Sequence, residues 1–339
     1  MNSVKGLWPG LISLLLLTLL WALGTGRYPV SFAAVLQILA DTLTGNTDEI
    51  MYSRSAQNVV LYVRLPRALI AGLAGAGLAV SGAALQGIFR NPLVGPQIIG
   101  VSSGAALGGA LAILLFSSLL LTISFAFIGG LLAIMLVFLL GLKRHGSPLL
   151  MLILAGVIIN AFFAALISLI TYFADPNNTL QSIVFWLMGS FASASWPKLW
   201  LLLPVVTITT SIIFALRFRI NVLSLGEENA LALGLPVNTT RWVTLLCVTL
   251  TVSATVAISG TIGWVGLIVP HVARLLAGHD HRRLLPVSAA TGAVYLMAVD
   301  TIARSISNAE IPLSVITALI GAPVFALLLH LLNRKVDDL

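Results

Sequence analysis

Long uncharged apolar runs, parted by single charges and short polar stretches, dominate the chain. A helix rises 1.5 Å per residue, so about 20 apolar residues cross a bilayer. Ten such stretches are predicted, near 7–25, 66–88, 96–116, 121–141, 148–172, 198–216, 242–259, 262–278, 285–303 and 312–332. The run from Asn91 to Leu142 carries no charge and is long enough for two spans, with a break expected at Ser117–Thr122. The run from Trp242 to Ala273 divides at Ser259-Gly260, where glycine interrupts the helical pattern. The first stretch is uncharged from Gly6 to Gly26, which is long enough for a retained helix rather than a cleaved leader.

Three segments do not have the pattern of a span. Val30–Leu43 has apolar residues at helical spacing, with Gln37 and Asp41 between them, as in a short interfacial helix. Asn177–Trp196 is apolar yet rich in Ser, Gly and Asn, and is expected to be a re-entrant or surface helix. Arg217–Arg241 is the longest polar loop.

Composition agrees with a lipid solvent. Of 339 residues, 59% are hydrophobic and 9% charged, against roughly 25% charged in soluble domains. The net charge of +7 does not point to nucleic acid, because the basic residues stand singly between apolar runs and form no tract. With ten spans both termini share one side. That side receives Lys5, Arg90, Lys143, Arg144, Arg217, Arg219, Arg241, Arg282, Arg283, Arg334 and Lys335. Arg27, Arg54, Arg64, Arg67, Lys198 and Arg304 fall on the other, and this bias places both termini in the cytoplasm. The expectation is an all-α, polytopic bundle of about ten transmembrane helices, a single domain over residues 1–339.

Small residues recur every fourth position on two spans, at Ala71, Gly75, Ala79, Ala83 and Gly87 and at Gly100, Gly104, Gly108 and Ala112. Such stripes let helix backbones approach closely. Bundle packing is the plain reading, and a glycine-lined translocation path the alternative. Catalytic patterns are missing. None of the four lysines follows glycine, so there is no phosphate loop for ATP. No His-Glu-x-x-His and no cluster of His, Cys and Asp occurs, so neither a metal nor another cofactor is expected. The single cysteine, Cys247, sits in an apolar run, and His271 reads as a hydrogen-bonded structural histidine. Within the polar loop, Gly226, Glu227, Ala230, Leu231, Leu233 and Gly234 fit one short helix with an apolar centre, suited to docking another protein. Arg64 and Arg67 stand one helical turn apart on the side where the positive-inside bias disfavours arginine, which asks for an anionic partner. Asp300 stands four residues before Arg304, at pairing distance.

These blocks, taken together, resemble the FecCD-type permeases. The resemblance rests on Arg64-Leu65-Pro66-Arg67, on Ser81-Gly82-Ala83 with Gln86, on Arg90-Asn91-Pro92-Leu93 and on Gly100-Val101-Ser102-Ser103-Gly104-Ala105. It continues through the Gly226–Leu235 segment and Val265-Gly266-Leu267-Ile268-Val269-Pro270-His271 to Arg274. Asp300 with Arg304, Glu310-Ile311-Pro312 and Thr317-Ala318-Leu319-Ile320-Gly321-Ala322-Pro323 complete it, over about residues 54–335. Such permeases are membrane subunits of binding-protein-dependent ABC importers for ferric siderophores, haem and cobalamin, of the type II architecture with ten helices per subunit. The resemblance implies a bacterial or archaeal plasma membrane, a second permease subunit (identical or related), two cytoplasmic ATP-binding subunits and a periplasmic or surface-tethered binding protein. The chain itself is then not an enzyme. Arg64, Arg67 and Arg304 match the family's docking arginines, residues 217–241 its coupling loop, and Asn91 and Leu93 its cytoplasmic gate. Where some members carry small hydroxyl residues as a second gate element, this chain has Leu149-Leu150-Met151. A ferric siderophore is the first expectation for the cargo, with haem, cobalamin or an oxyanion such as molybdate as alternatives. An ion-coupled secondary carrier is the rival reading, but only Asp300 approaches an intramembrane ionisable site.

Overall fold

The computed structural model describes residues 6–45, 52–141, 148–307 and 309–337, with the backbone alone at 148–149, 328–329 and 331–337. Among them every regular element is helical: α1 Leu7–Gly24, α2 Phe32–Thr44, α3 Arg54–Asn58, α4 Leu65–Phe89, α5 Val101–Phe116, α6 Leu119–Gly141, α7 Pro148–Phe173 and α8 Thr179–Leu187. There follow α9 Trp196–Ala215, α10 Arg217–Ser224, α11 Glu227–Ala232, α12 Val237–Ser259, α13 Val265–Ala277, α14 His281–Ala303 and α15 Leu313–Asp337.

Each of the ten predicted spans coincides with a helix, but the lengths differ from expectation. Seven helical stretches among the described residues are long and apolar enough to cross a membrane alone. Of the other three, α5 and α13 are shorter, at Val101–Phe116 and Val265–Ala277, while α15 runs Leu313–Asp337. Two of these start late because the chain is interrupted. Before α5, Pro96–Ile99 forms a 3₁₀ turn and Gly100 takes φ 86°, so the α-helix cannot begin until Val101. Before α13, Gly260 takes φ 70° and Trp264 φ 69°, leaving Gly260–Trp264 outside regular structure. Irregular backbone at membrane depth is tolerated only where protein covers it. Here Ser190 N donates to Ser259 O at 2.7 Å, and Thr261 Oγ1 donates to Leu187 O.

Burial sorts the bundle into a centre and a rim. The best apolar windows of the stretch through α4 and of α12 are 83% and 78% buried, against 22% for α1 and α6. The centre is built from small residues. A Cβ on Gly75 would strike the backbone of Gly292, and one on Gly82 the backbone of Gly266, so α4 lies directly against α14 and α13. On the rim, Gly104 and Gly108 of α5 meet Gly129 and Phe125 of α6 in the same way. α3 runs through a π-helical turn, Val59–Arg64, into α4, where Leu65 N reaches back to Val60 O. The wider turn admits Pro66, which cannot donate a backbone bond, so the helix starts upstream of the Arg64-Leu65-Pro66-Arg67 block.

α2 is the short amphipathic helix expected at 30–43, capped by Ser31 and burying Val35 and Ile38. The 177–196 segment is not a span. α8 packs Ile183 against Ala110 and Ile170, and the chain beyond it donates no further helix until Trp196. Cys247 is buried and unpaired.

Candidate functional site

The two ends of the bundle carry different chemistry. At the end where α1 and α14 finish and α4 begins, Arg64, Arg67 and Arg304 come together. They are not free: they are 4%, 7% and 8% exposed. Arg64 and Arg304 cap the C-terminal end of α1, whose last carbonyls have no partner within the helix. Arg64 Nη1 donates to Leu23 O at 2.7 Å and Nη2 to Tyr28 O at 2.5 Å. Arg304 Nη1 donates to Thr25 O at 2.6 Å and Nη2 to Ala22 O. Gly26, at φ 155°, leaves room for both guanidinium groups, because a Cβ there would meet each of them.

Arg67 takes a different course. Its Nε and Nη2 donate to the Asp300 carboxylate at 2.8–3.1 Å, and Nη1 and Nη2 to Glu310 at 2.9 and 3.0 Å. The expected pair between Asp300 and Arg304 is present, but at 3.7 Å it is the looser one. Among the described residues the exposed cations at this end are Arg27 and Arg54, while Arg64, Arg67 and Arg304 are held inside the chain by carbonyls and carboxylates.

Beside them lies a cavity of about 590 Å³ lined by Arg27, Ser190, Ser193, Ser259 and Glu310, among others. Burial pushes the Glu310 carboxyl up. Hydrogen bonds and charge from Arg67, with Arg27 and Arg304 behind it, outweigh that and hold it below the usual carboxylate range.

At the opposite end the 217–241 loop resolves into α10, α11 and the first turn of α12. α11 ends as the residue pattern predicts. Gly234 takes φ 71°, its N donates to Leu231 O at 2.9 Å, and Leu235 N reaches Ala230 O at 3.0 Å. Leu225, Leu231 and Leu233 are 71%, 58% and 69% exposed, while Ala230 is fully buried against the chain's own core. Arg241, 1% exposed, holds Glu227 at 3.1 Å and anchors the start of α11 to α12. Gly226 precedes α11 with φ 131°. Arg90 ends α4 in left-handed backbone, and Asn91 Oδ1 accepts from Leu93 N at 2.9 Å, setting a tight turn with Leu93 exposed. Of the alternative gate residues, Leu150 is exposed, and the Leu149 side chain lies outside the described residues. Lys5, Lys143 and Arg144 also lie outside them, as do the side chains of Arg334 and Lys335.

The stripe glycines lie between helices. Gly75, Gly104 and Gly108 face neighbouring backbone, Gly87 faces His281, and Gly100 faces Ile159. His271 Nδ1 lies 2.8 Å from Leu267 O, as a structural histidine should. Two polar links were not singled out by sequence. Asn160, in mid-α7, donates to Gln97 O at 2.8 Å and accepts from Ser103 at 2.6 Å, so it supports the broken start of α5. Arg274 Nη2 donates to Gln86 Oε1 at 2.6 Å. A polar residue in an apolar run was the available signal for both. Among the described residues no group of His, Cys, Asp and Glu could hold a metal ion.

Comparison with known proteins places this geometry. The profile described as the FecCD transport family matches residues 14–331. The molybdate import system permease protein MolB of Haemophilus influenzae is 49% identical over 328 residues, 96% of this chain and 95% of that protein. The cobalamin import system permease protein BtuC of Halobacterium salinarum is 42% identical over 286 residues, 84% of this chain and 76% of that one. A solved structure described as the inward-facing conformation of a metal-chelate type ABC transporter superposes with a TM-score of 0.86 at 46% identity, covering 96% of this chain and 99% of that chain.

Proposed function

The chain belongs to the FecCD transport family of ABC importer permeases, and on that premise we propose that it carries a tetrahedral oxyanion of the molybdate kind into the cell. The observation that supports this cargo is the likeness to a molybdate permease along nearly the whole length of both chains. A metal chelate such as a ferric siderophore is the second reading, favoured by the metal-chelate type transporter that superposes at 46% identity.

In this reading the subunit performs no bond chemistry. It works beside a second permease subunit, on two ATPase subunits, and receives cargo from a binding protein. The Arg90 end faces the cytoplasm, and both termini lie on that side. α11 with Leu225, Leu231 and Leu233 docks into the ATPase, so that closure of the ATPases moves the helix ends it is tied to through Arg241. The permease then switches between packings open to one side or the other. Asn91 and Leu93, on the turn after α4, close the path at that end. At the Arg64 end, the binding protein meets Arg27 and Arg54 directly, while Arg64, Arg67 and Arg304 hold the surface it docks on.

The test is uptake. The permease, reconstituted in liposomes with its ATPase and binding-protein partners, is offered radiolabelled molybdate, a ferric siderophore, haem and cobalamin. ATP-dependent accumulation of molybdate supports the reading. Accumulation of only the iron chelates would replace it with the second.

A further inference from the structure

Resting on that reading of the cargo, we propose that the cleft between the end of α4, the end of α10 and the α13–α14 turn is an oxyanion-binding site at the Arg90 end of the permease. The cleft has a volume of about 570 Å³. Its cations are Arg90 and Arg274, with His271, His279 and His281 beside them. Gln86, Asn91 and Ser224 add neutral polar groups, and no carboxylate is among its lining residues.

Two nearby acids are engaged elsewhere. Asp280, between two of the histidines, is turned to its own helix, where Arg282 Nε reaches it at 2.9 Å and Arg282 Nη2 at 2.7 Å. Glu227 is held by Arg241. Arg274 has donors to spare. One terminal nitrogen is committed to Gln86, while Nη1 is buried without a hydrogen-bond partner among the described residues. A buried guanidinium nitrogen lacking an acceptor is costly, and an oxyanion supplies acceptors in the fork geometry arginine prefers. Arg90 is exposed at the rim, fixed by its left-handed backbone. His281 is fixed as a wall by Asn221, whose Oδ1 accepts from its backbone N at 3.1 Å and lies 3.2 Å from its Nδ1.

Four other cavities among the described residues do not have this character. The one at the Arg64 end sets Glu310 beside Arg27, so an anion there meets a carboxylate. Two more are walled by apolar side chains and glycine, and the fifth holds hydroxyls, an amide and a tryptophan without any charge. Position adds meaning to the chemistry. Asn91 and Pro92 belong to the turn after α4, and Ser224 and Leu225 lead directly into Gly226 and α11. A dianion held between them tethers that turn to the start of the coupling segment.

Binding is measured on the permease–ATPase complex in nanodiscs, without nucleotide and without binding protein, by equilibrium dialysis against radiolabelled molybdate. The parent complex should bind saturably, with binding that weakens as salt rises and yields to tungstate. Arg274→Gln should lose affinity by about tenfold or more, as for a hydrogen bond to a charged group. Arg90→Asn, which removes the charge but tolerates left-handed backbone, should lose about threefold or more, the lower end expected for a solvent-exposed hydrogen bond. Because Arg90 is exposed, this variant carries the test if Arg274→Gln misfolds. Arg283→Gln, an exposed cation outside the cleft, should bind as the parent does. Absence of saturable binding in the parent, or equal binding by all three variants, overturns the site. Binding to the permease alone but not to the complex also overturns it, because the cleft is then covered by the ATPase. Molybdate uptake in liposomes without binding in the cleft would overturn the site and leave the cargo standing. Binding in the cleft without uptake would do the reverse.

Discussion

A guanidinium withdrawn from water needs acceptors, and Arg67 has two carboxylates. Asp300 is 2% exposed, so removing Arg67 strands a buried acid. Breaking such a pair from one side costs about 3–5 kcal/mol. Arg67→Ala should therefore lower the melting temperature of the purified permease or abolish its recovery, and Arg67→Lys should rescue it only in part, because one ammonium cannot serve both acids in a fork. Removal of both partners, Arg67→Met with Asp300→Leu, should recover much of the loss. A melting temperature unchanged in Arg67→Ala would show that the pair holds nothing. Glu310 is the more exposed arm, with a side chain 29% accessible, so Glu310→Gln should cost less. Its carboxyl titrates below the ordinary value of 4.5 in the fold. Its contribution is then complete above that pH and lost as pH falls below it. The parent should lose thermal stability on acidification in that window by more than Glu310→Gln does. The sequence showed which residues carry charge at this end, and the four-residue spacing of Asp300 and Arg304 announced a pair. It did not show that Arg67, far away in the chain, takes Asp300 first, since nothing local records which helix faces which. Nor did the spacing of Arg64 and Arg67 reveal that one turns to the end of α1 and the other to α14.

Among the elements, α11 makes the sharpest prediction. Gly234 stands at φ 71°, and a Cβ there would meet nothing within 4 Å. The penalty for another residue is thus backbone strain alone, of about 1–2 kcal/mol. Gly234→Asn, which tolerates that conformation, should transport nearly as the parent does. Gly234→Val should fold and insert but couple ATP hydrolysis poorly to uptake. Leu231→Asp should weaken co-purification of the ATPase, because Leu231 is exposed and touches no core. Parental transport by both Gly234→Val and Leu231→Asp would remove α11 from the coupling mechanism. The helices themselves were readable from apolar runs, because lipid imposes one rule along the whole run. Their interruptions were less readable. The stretches 96–116 and 262–278 look continuous in hydropathy, yet Gly100 and Trp264 in left-handed backbone delay α5 and α13. Those breaks persist because sequence-distant groups satisfy the freed backbone: Asn160 of α7 donates to Gln97 O, and Ser190 N, beyond α8, donates to Ser259 O.

At the scale of the whole molecule, the two ends differ in what they expose. Arg27 and Arg54 stand exposed at the Arg64 end, against Arg90, Arg217, Arg219, Arg282 and Arg283 at the other. The positive-inside bias assigns the second group to the cytoplasm. With Cys247 changed to Ala, a cysteine at 54 should react with a membrane-impermeant reagent in whole cells, and one at 227 only after lysis. The reverse pattern would invert the topology. In the proposed orientation the cations at the Arg64 end would be the first that a binding protein meets, and this separates two roles that sequence alone merges. Exposed charges steer encounter and register, whereas buried ones maintain the surface. Arg27→Glu and Arg54→Glu should slow docking of the binding protein, measured by surface plasmon resonance on the permease–ATPase complex in nanodiscs, while the melting temperature stays near that of the parent. Docking should weaken as salt rises, since the charges involved are open to solvent. Arg64→Glu should act in the other order. It sets a carboxylate against the carbonyls of Leu23 and Tyr28, so stability falls first and docking fails only as a consequence. If Arg64→Glu instead left the melting temperature intact and abolished docking, the guanidinium would have to leave α1 to meet the binding protein, and the rim would be a moving part rather than a fixed one.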